Sequence, residues 1–102
     1  MFKAVTEFEN KVAEFFGAPH AVAVDCCTHG VELSLYLTKA TKINSPKHTY
    51  LSIPNLAKKM NLELEWNDES WEDYYYVTDK VIDAAVLWKS NSYIPGTLMS
   101  IS

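Results

Sequence analysis

From Val5 onward apolar positions recur at helical spacing. Val5, Phe8, Val12, Phe15 and Phe16 share one face, while Glu7, Lys11 and Glu14 lie away from it. Thr6 and Glu9 stand three apart, as in a capping box, which predicts a helix over Thr6–Phe16; a weaker alternative starts the helix at the first residues of the chain. Gly17 suits the position just past a helix end, and Pro19 forbids continuation. Ala21-Val22-Ala23-Val24 is an uncharged apolar run of the type buried in parallel sheets, so a strand is expected there. Asp25 to Gly30 form a turn. In the helix expected over Thr28–Lys39, Val31, Leu33, Leu35, Tyr36 and Leu37 leave little polar surface, which predicts burial on most sides.

The second half alternates in the same way. Thr49 to Ile53 predict a strand, and Pro54 falls in the first turn of a helix that runs to Met60 and is ended by Asn61. Leu62, Leu64 and Trp66 alternate with Glu63 and Glu65, a half-exposed strand. Asn67 to Tyr76 is acidic and aromatic, with no period that assigns it. Lys80 to Ala84 reads as a buried strand, Pro95-Gly96 as a turn, and Thr97 to Ser102 as a last apolar strand. Strand, tight turn and helix in alternation predict an α/β fold with a central, mostly parallel sheet and flanking helices. No repeat, linker or low-complexity tract divides the chain, so one domain is expected over residues 1–102. The sequence ends inside its last strand, which raises the expectation of a truncated domain.

Composition narrows the classes. Of the 102 residues 48% are apolar and 22% charged, which is globular rather than disordered composition. All nine cations are lysine and the net charge is −4, so the bidentate arginine contacts that read nucleic acid are missing and no nucleic-acid partner is expected. No apolar run approaches the roughly 20 residues of a membrane span. Met1-Phe2-Lys3 leads into an amphipathic pattern and not into a signal peptide, so a cytoplasmic protein is expected. The two cysteines, Cys26 and Cys27, are neighbours and cannot staple distant segments.

The densest reactive cluster is Asp25-Cys26-Cys27-Thr28-His29-Gly30, between an expected strand and a helix N-terminus. Free backbone N–H groups and the helix dipole favour a phosphate there, while the plainer reading makes Thr28 or Asp25 a helix cap. Adjacent cysteines chelate one ion poorly, so no metal site is expected; a cysteine nucleophile helped by His29 or His48 is a further alternative. Asp83 lies at the end of an expected buried strand, where a carboxylate needs a partner: a loop N–H in the plain reading, a protonated ring nitrogen in the functional one. Tyr50 is either core or a stacking plate. Trp66, Trp71, Tyr74, Tyr75 and Tyr76 read as core and interface.

Taken in order, these segments resemble the N-terminal part of the DegT/StrS-type sugar aminotransferases, pyridoxal-phosphate (PLP) enzymes of the aspartate aminotransferase fold. FENKVAEFFGAPHAVAV, Phe8 to Val24, resembles the family's opening helix and first strand. DCCTHGVELSL, Asp25 to Leu35, resembles its S-S-G-T-A-A-L-x-L-A-L phosphate turn. SPKHTYLSIPNLA, KVIDAAV and GTLMSIS, beginning at Ser45, Lys80 and Gly96, are similar to its V-P-S-x-T-F-x-A-T-x-N-A-I, V-I-E-D-A-A-Q and G-D-I-G-x-F-S segments.

The resemblance implies part of a three-layer PLP-transferase large domain, with PLP as cofactor and amino transfer to a keto-sugar nucleotide as the parent activity. Thr28, with the backbone at Cys27 and His29, would hold the cofactor phosphate. Tyr50 would stack on the ring, Asp83 would pair with the ring nitrogen, and Ser102 would take a second phosphate position. The family's Schiff-base lysine falls beyond Ser102 in motif order, so no catalytic residue is expected, this chain alone is expected to be inactive, and any affinity for PLP is expected to be weak. Cys27 stands where the turn has glycine, and Val86 where the family has glutamine. The stretch between Met60 and Lys80 is shorter than in the family. Open strand edges and the family's habit of dimerising lead to the expectation of a homodimer or higher oligomer, and the alternative function is a non-catalytic module for self-association or partner binding.

Overall fold

The computed structural model describes residues 3–102. Among these residues lie three helices, α1 (Lys3–Phe16), α2 (Cys27–Leu37) and α3 (Ser52–Lys59), and five short strands, one between α2 and α3 and four after α3. These are β1 (Lys42–Pro46), β2 (Glu63–Asn67), β3 (Tyr75–Tyr76), β4 (Val81–Asp83) and β5 (Leu98–Ser100). The architecture is α/β, but the strands form two small sheets in place of one wide layer. β1 and β2 pair in parallel, and β3-β4-β5 form a second sheet in which β3·β4 is antiparallel and β4·β5 parallel. One backbone bond, Asn44 N–H to the Val77 carbonyl at 2.8 Å, ties the sheets together.

All three helices stop by the same device. In a Schellman motif the N–H groups of the two residues past the helix cap turn back to its last carbonyls, with the first of them in the left-handed region. Gly17 (φ 71°) with Ala18, Lys39 (φ 55°) with Ala40, and Asn61 (φ 57°) with Leu62 close α1, α2 and α3 in this way. Gly17 and Asn61 are legible stops. Lys39 is not, which is why the sequence pattern extends α2 to Lys39 while the helix ends at Leu37.

Other expectations are corrected. The helical conformation of α1 is already present at Lys3, so Thr6 sits inside the helix and caps nothing. Glu9 does not fold back in a capping box; its carboxylate accepts the Ala23 N–H at 2.7 Å. Of the α1 side chains Ala13 and Phe16 are buried, whereas Val5, Phe8 and Phe15 are exposed. Ala21–Val24 is not a strand. It lies at the surface without regular secondary structure, with Val22 75% exposed, because no neighbouring strand supplies a ladder. Thr49–Leu51 form a turn leading into α3, and the strand lies earlier, at β1.

The main core comprises Val31 and Leu35 of α2, Ile43, Ile53, Leu56, Ala57, Tyr75, Val77 and Val81. A second cluster of Ile82, Ala84 and Leu87 lies on the other side of β4. α1 is attached at its C-terminal end. The Phe15 and Phe16 carbonyls accept the N–H groups of Asn91 and Tyr93 at 2.9 and 3.0 Å, and the Phe16 ring packs on Trp88 at 5.2 Å between centroids. Pro95-Gly96 forms the expected turn, with Gly96 at φ 84° where a type II turn demands a positive value. Among the described residues no helix is long and apolar enough to cross a membrane.

Candidate functional site

β4 and β5 run in parallel, with Asp83 opposite Ser100 at their C-terminal ends. Ligands in open α/β sheets bind beyond such ends. The first turn of α2 lies over both. Ser100 Oγ donates to the Cys27 carbonyl at 2.7 Å, and the Cys27 thiol lies 3.4 Å from the Ser100 carbonyl and 3.6 Å from Asp83 Oδ1. Gly30 makes this approach possible, since a Cβ there would stand 2.4 Å from Ser100 Oγ.

Asp83 is the centre of a buried polar network. It is 7% exposed. Oδ2 accepts the Tyr75 hydroxyl at 2.8 Å, and Oδ1 accepts the Ala85 N–H at 3.2 Å in addition to facing the Cys27 thiol. Tyr75 OH also shares a 2.7 Å hydrogen bond with Thr49 Oγ1. Burial pushes the Cys27 thiol up to about 11; the Ser100 contact opposes the rise and the negative charge of Asp83 adds to it. Burial also raises Tyr75 well above the usual phenol range, with the Thr49 hydrogen bond opposing and the Asp83 charge adding.

Cys27 is therefore a thiol at neutral pH and not an activated nucleophile. Only the thiolate alkylates, so labelling of Cys27 by iodoacetamide should stay low at pH 8 and climb only as pH approaches 11. Exposed Cys26 serves as the internal comparison. Peptide mass mapping over a pH series checks this; Cys27 labelling as fast as Cys26 at pH 8 would remove the buried-thiol account.

The remaining expected site residues are dispersed. Thr28 Oγ1 donates to Ser52 Oγ at 3.1 Å, linking the first turns of α2 and α3. His29 Nδ1 bonds Asp25 Oδ1 at 2.6 Å, and this bond holds the Asp25 carboxyl below its usual range. Neither Thr28 nor Asp25 caps α2: the N-cap residue is Cys26, and it makes no side-chain cap bond. Tyr50 is 78% exposed and stacks on no ring among the described residues. Ser102 is exposed, and its carbonyl accepts the Trp88 indole N–H at 2.7 Å. Neither Tyr50 nor Ser102 hydrogen-bonds to the Cys27–Asp83 network.

Tyr75, Thr49 and Ser100 are members that sequence reasoning missed. Three successive tyrosines give no signal as to which faces inward; only the register Tyr75↔Asp83 decides it. A groove of about 530 Å³ lies beside the site, between α1, the 18–26 segment, α2 and the outer edge of β5. Phe8, Val12, Leu33, Leu37, Trp88 and Met99 line it.

A helix N-terminus set over the C-terminal ends of parallel strands, with a carboxylate beneath it, lies where open α/β sheets bind their ligands. The model of the DegT/DnrJ/EryC1/StrS aminotransferase family matches residues 1–96, and the chain belongs to that family. Searches of curated proteins and of solved structures return no match.

The family implies PLP, and the residues present fit it at one end only. The phosphate end is suitable, because the first N–H groups of α2 carry no side-chain cap. The ring end is not. Asp83 is only 7% exposed, and Tyr75, Ala85 and Cys27 already take three of its roughly four acceptor positions, so a ring nitrogen would have to displace these covering groups to reach it.

Proposed function

We propose that this chain is an aminotransferase-like protein that keeps the family's phosphate turn but performs no transamination by itself. The single observation behind this reading is the closure of Asp83. The carboxylate that the family resemblance assigns to a pyridine nitrogen is only 7% exposed and is bonded to the Tyr75 hydroxyl at 2.8 Å in a buried network. The parent activity, amino transfer to a keto-sugar nucleotide, thus describes the family and not this polypeptide. All nine lysines are exposed, so none is held in an apolar pocket of the type that activates an amine for a carbonyl. The chain is further proposed to act as a self-associating module, with the open edge of β5 and the adjoining apolar groove as the contact surface.

Incubation with PLP, borohydride reduction and peptide mapping test the cofactor reading. Scattered labelling of surface lysines is expected, with none dominant. Backbone amide shifts should at the same time respond to a phosphate ester at residues 27–29 and not to pyridoxal without its phosphate. One dominant labelled lysine, lost with Asp83→Asn, would overturn the inactivity proposal.

A further inference from the structure

Beyond the cofactor question, the structure sorts the two adjacent cysteines into different environments. Cys27 turns inward to Asp83 and Ser100, while Cys26 is exposed. On the outer side Cys26 has different company. Its sulfur, a carboxylate oxygen of Asp25 and a ring nitrogen of His29 all lie within 4.8 Å of one another, the one such group among the described residues. The spacing explains the meeting. Cys26 is the extended N-cap of α2, Asp25 lies just before it, and His29 in the first turn reaches back to hydrogen-bond Asp25 at 2.6 Å, which gathers the three side chains at the helix start. We propose that Asp25, Cys26 and His29 form a binding site for a borderline-soft divalent transition-metal ion, Zn²⁺ by chemical preference.

The donor set selects the ion class. One sulfur, one imidazole nitrogen and one carboxylate oxygen suit Zn²⁺ or Co²⁺, whereas Mg²⁺ and Ca²⁺ take all-oxygen shells. Three protein ligands leave a fourth tetrahedral position for water. Bond lengths of about 2.0–2.3 Å place tetrahedral ligand atoms roughly 3.3–3.8 Å apart. The present group therefore needs a modest contraction on the sulfur side and an opening of the 2.6 Å His29–Asp25 hydrogen bond. His29 and Asp25 side chains are 55% and 73% exposed, so both have room to make that adjustment. On binding, the Cys26 thiol gives its proton to solvent and the sulfur joins the metal. A divalent ion with one thiolate and one carboxylate is then neutral overall, so no net positive charge is set against the positive end of α2. The adjacent-cysteine objection to a metal site does not apply, because only one of the pair is a ligand. This inference is independent of the cofactor reading.

The test titrates the reduced 102-residue chain with Co²⁺, followed by thiolate-to-cobalt charge-transfer absorption, and then displaces the ion with Zn²⁺. One Co²⁺ per chain with a thiolate band is expected, displaced by Zn²⁺ and unaffected by excess Mg²⁺. Cys26→Ser should abolish the band. His29→Ala and Asp25→Ala should each weaken binding more than about tenfold, a loss typical even of residues that only support a metal's ligands. Cys27→Ser should leave the band in place. All three ligands are exposed, so circular dichroism should confirm that their variants fold. The proposal is overturned by absence of a thiolate band, by a band that survives Cys26→Ser, by one that needs Cys27, or by one ion shared between two chains.

Discussion

Asp83→Ala is expected to lower the free energy of unfolding by about 1.5–3 kcal/mol, the range for hydrogen bonds to a charged group. The substitution removes the Asp83 acceptor from the Tyr75 hydroxyl, which keeps only its Thr49 partner in a core where Tyr75 is 2% exposed, and leaves the Ala85 N–H without its carboxylate. Domains of this size are stable by roughly 5–15 kcal/mol in total, so the loss is a large share of the whole. Urea denaturation measures it. Asp83→Asn, which preserves shape and one acceptor, should recover part of the loss. The Tyr75 titration supplies a readout that packing alone would not move. Because the Asp83 charge helps to raise Tyr75, ionisation of that phenol should begin at lower pH in Asp83→Ala, while burial keeps it above the ordinary range. A stability change below about 0.5 kcal/mol, the size of an ordinary surface substitution, would show that the carboxylate is open to solvent and available to a ligand. The inactivity proposal would fall with it.

The parts of this site that depend on local chemistry are visible in the sequence. A carboxylate at the end of an uncharged strand and a Thr-containing turn before a helix mark Asp83 and the start of α2. The family resemblance rests on the same segments. What is hidden depends on pairing between distant segments. β1 reads as Lys-Ile-Asn-Ser-Pro, polar and ending in proline, yet Ile43, Ser45 and Pro46 are buried because β2 lies beside it and α3 packs against it. Conversely, Ala21–Val24 has every local mark of a buried strand and is none, since a strand requires a neighbour to take its hydrogen bonds. The inward turn of Tyr75 and the opposite facing of Cys26 and Cys27 likewise follow from register and from the seating of α2, neither of which leaves a periodic signal.

α2 is where sequence and structure differ with the greatest energetic consequence. Its composition predicts burial on most sides, yet Val31 and Leu35 alone are buried, while Leu33, Tyr36 and Leu37 are 46%, 73% and 63% exposed. Leu35→Ala should accordingly cost about 3–5 kcal/mol, the loss of a fully enclosed leucine plus the cavity it leaves. Leu33→Ala should cost the isolated chain no more than about 0.5 kcal/mol, because much of that side chain is already in water. Denaturation at low protein concentration measures both. The contrast also bears on association. Leu33 and Leu37 line the groove beside the β5 edge, and on that edge alternation turns the N–H and C=O of Met99 away from β4, since Leu98 N–H and the Ser100 carbonyl already bond towards it. If a second copy covers this surface, Leu37→Lys should shift light scattering at micromolar concentration from oligomer towards monomer, with the unfolding free energy of the monomer nearly unchanged. A chain that is monomeric before any substitution would refute the self-association proposal. A Leu33→Ala loss as large as that of Leu35→Ala would show that α2 is enclosed on both sides, as its composition alone suggests.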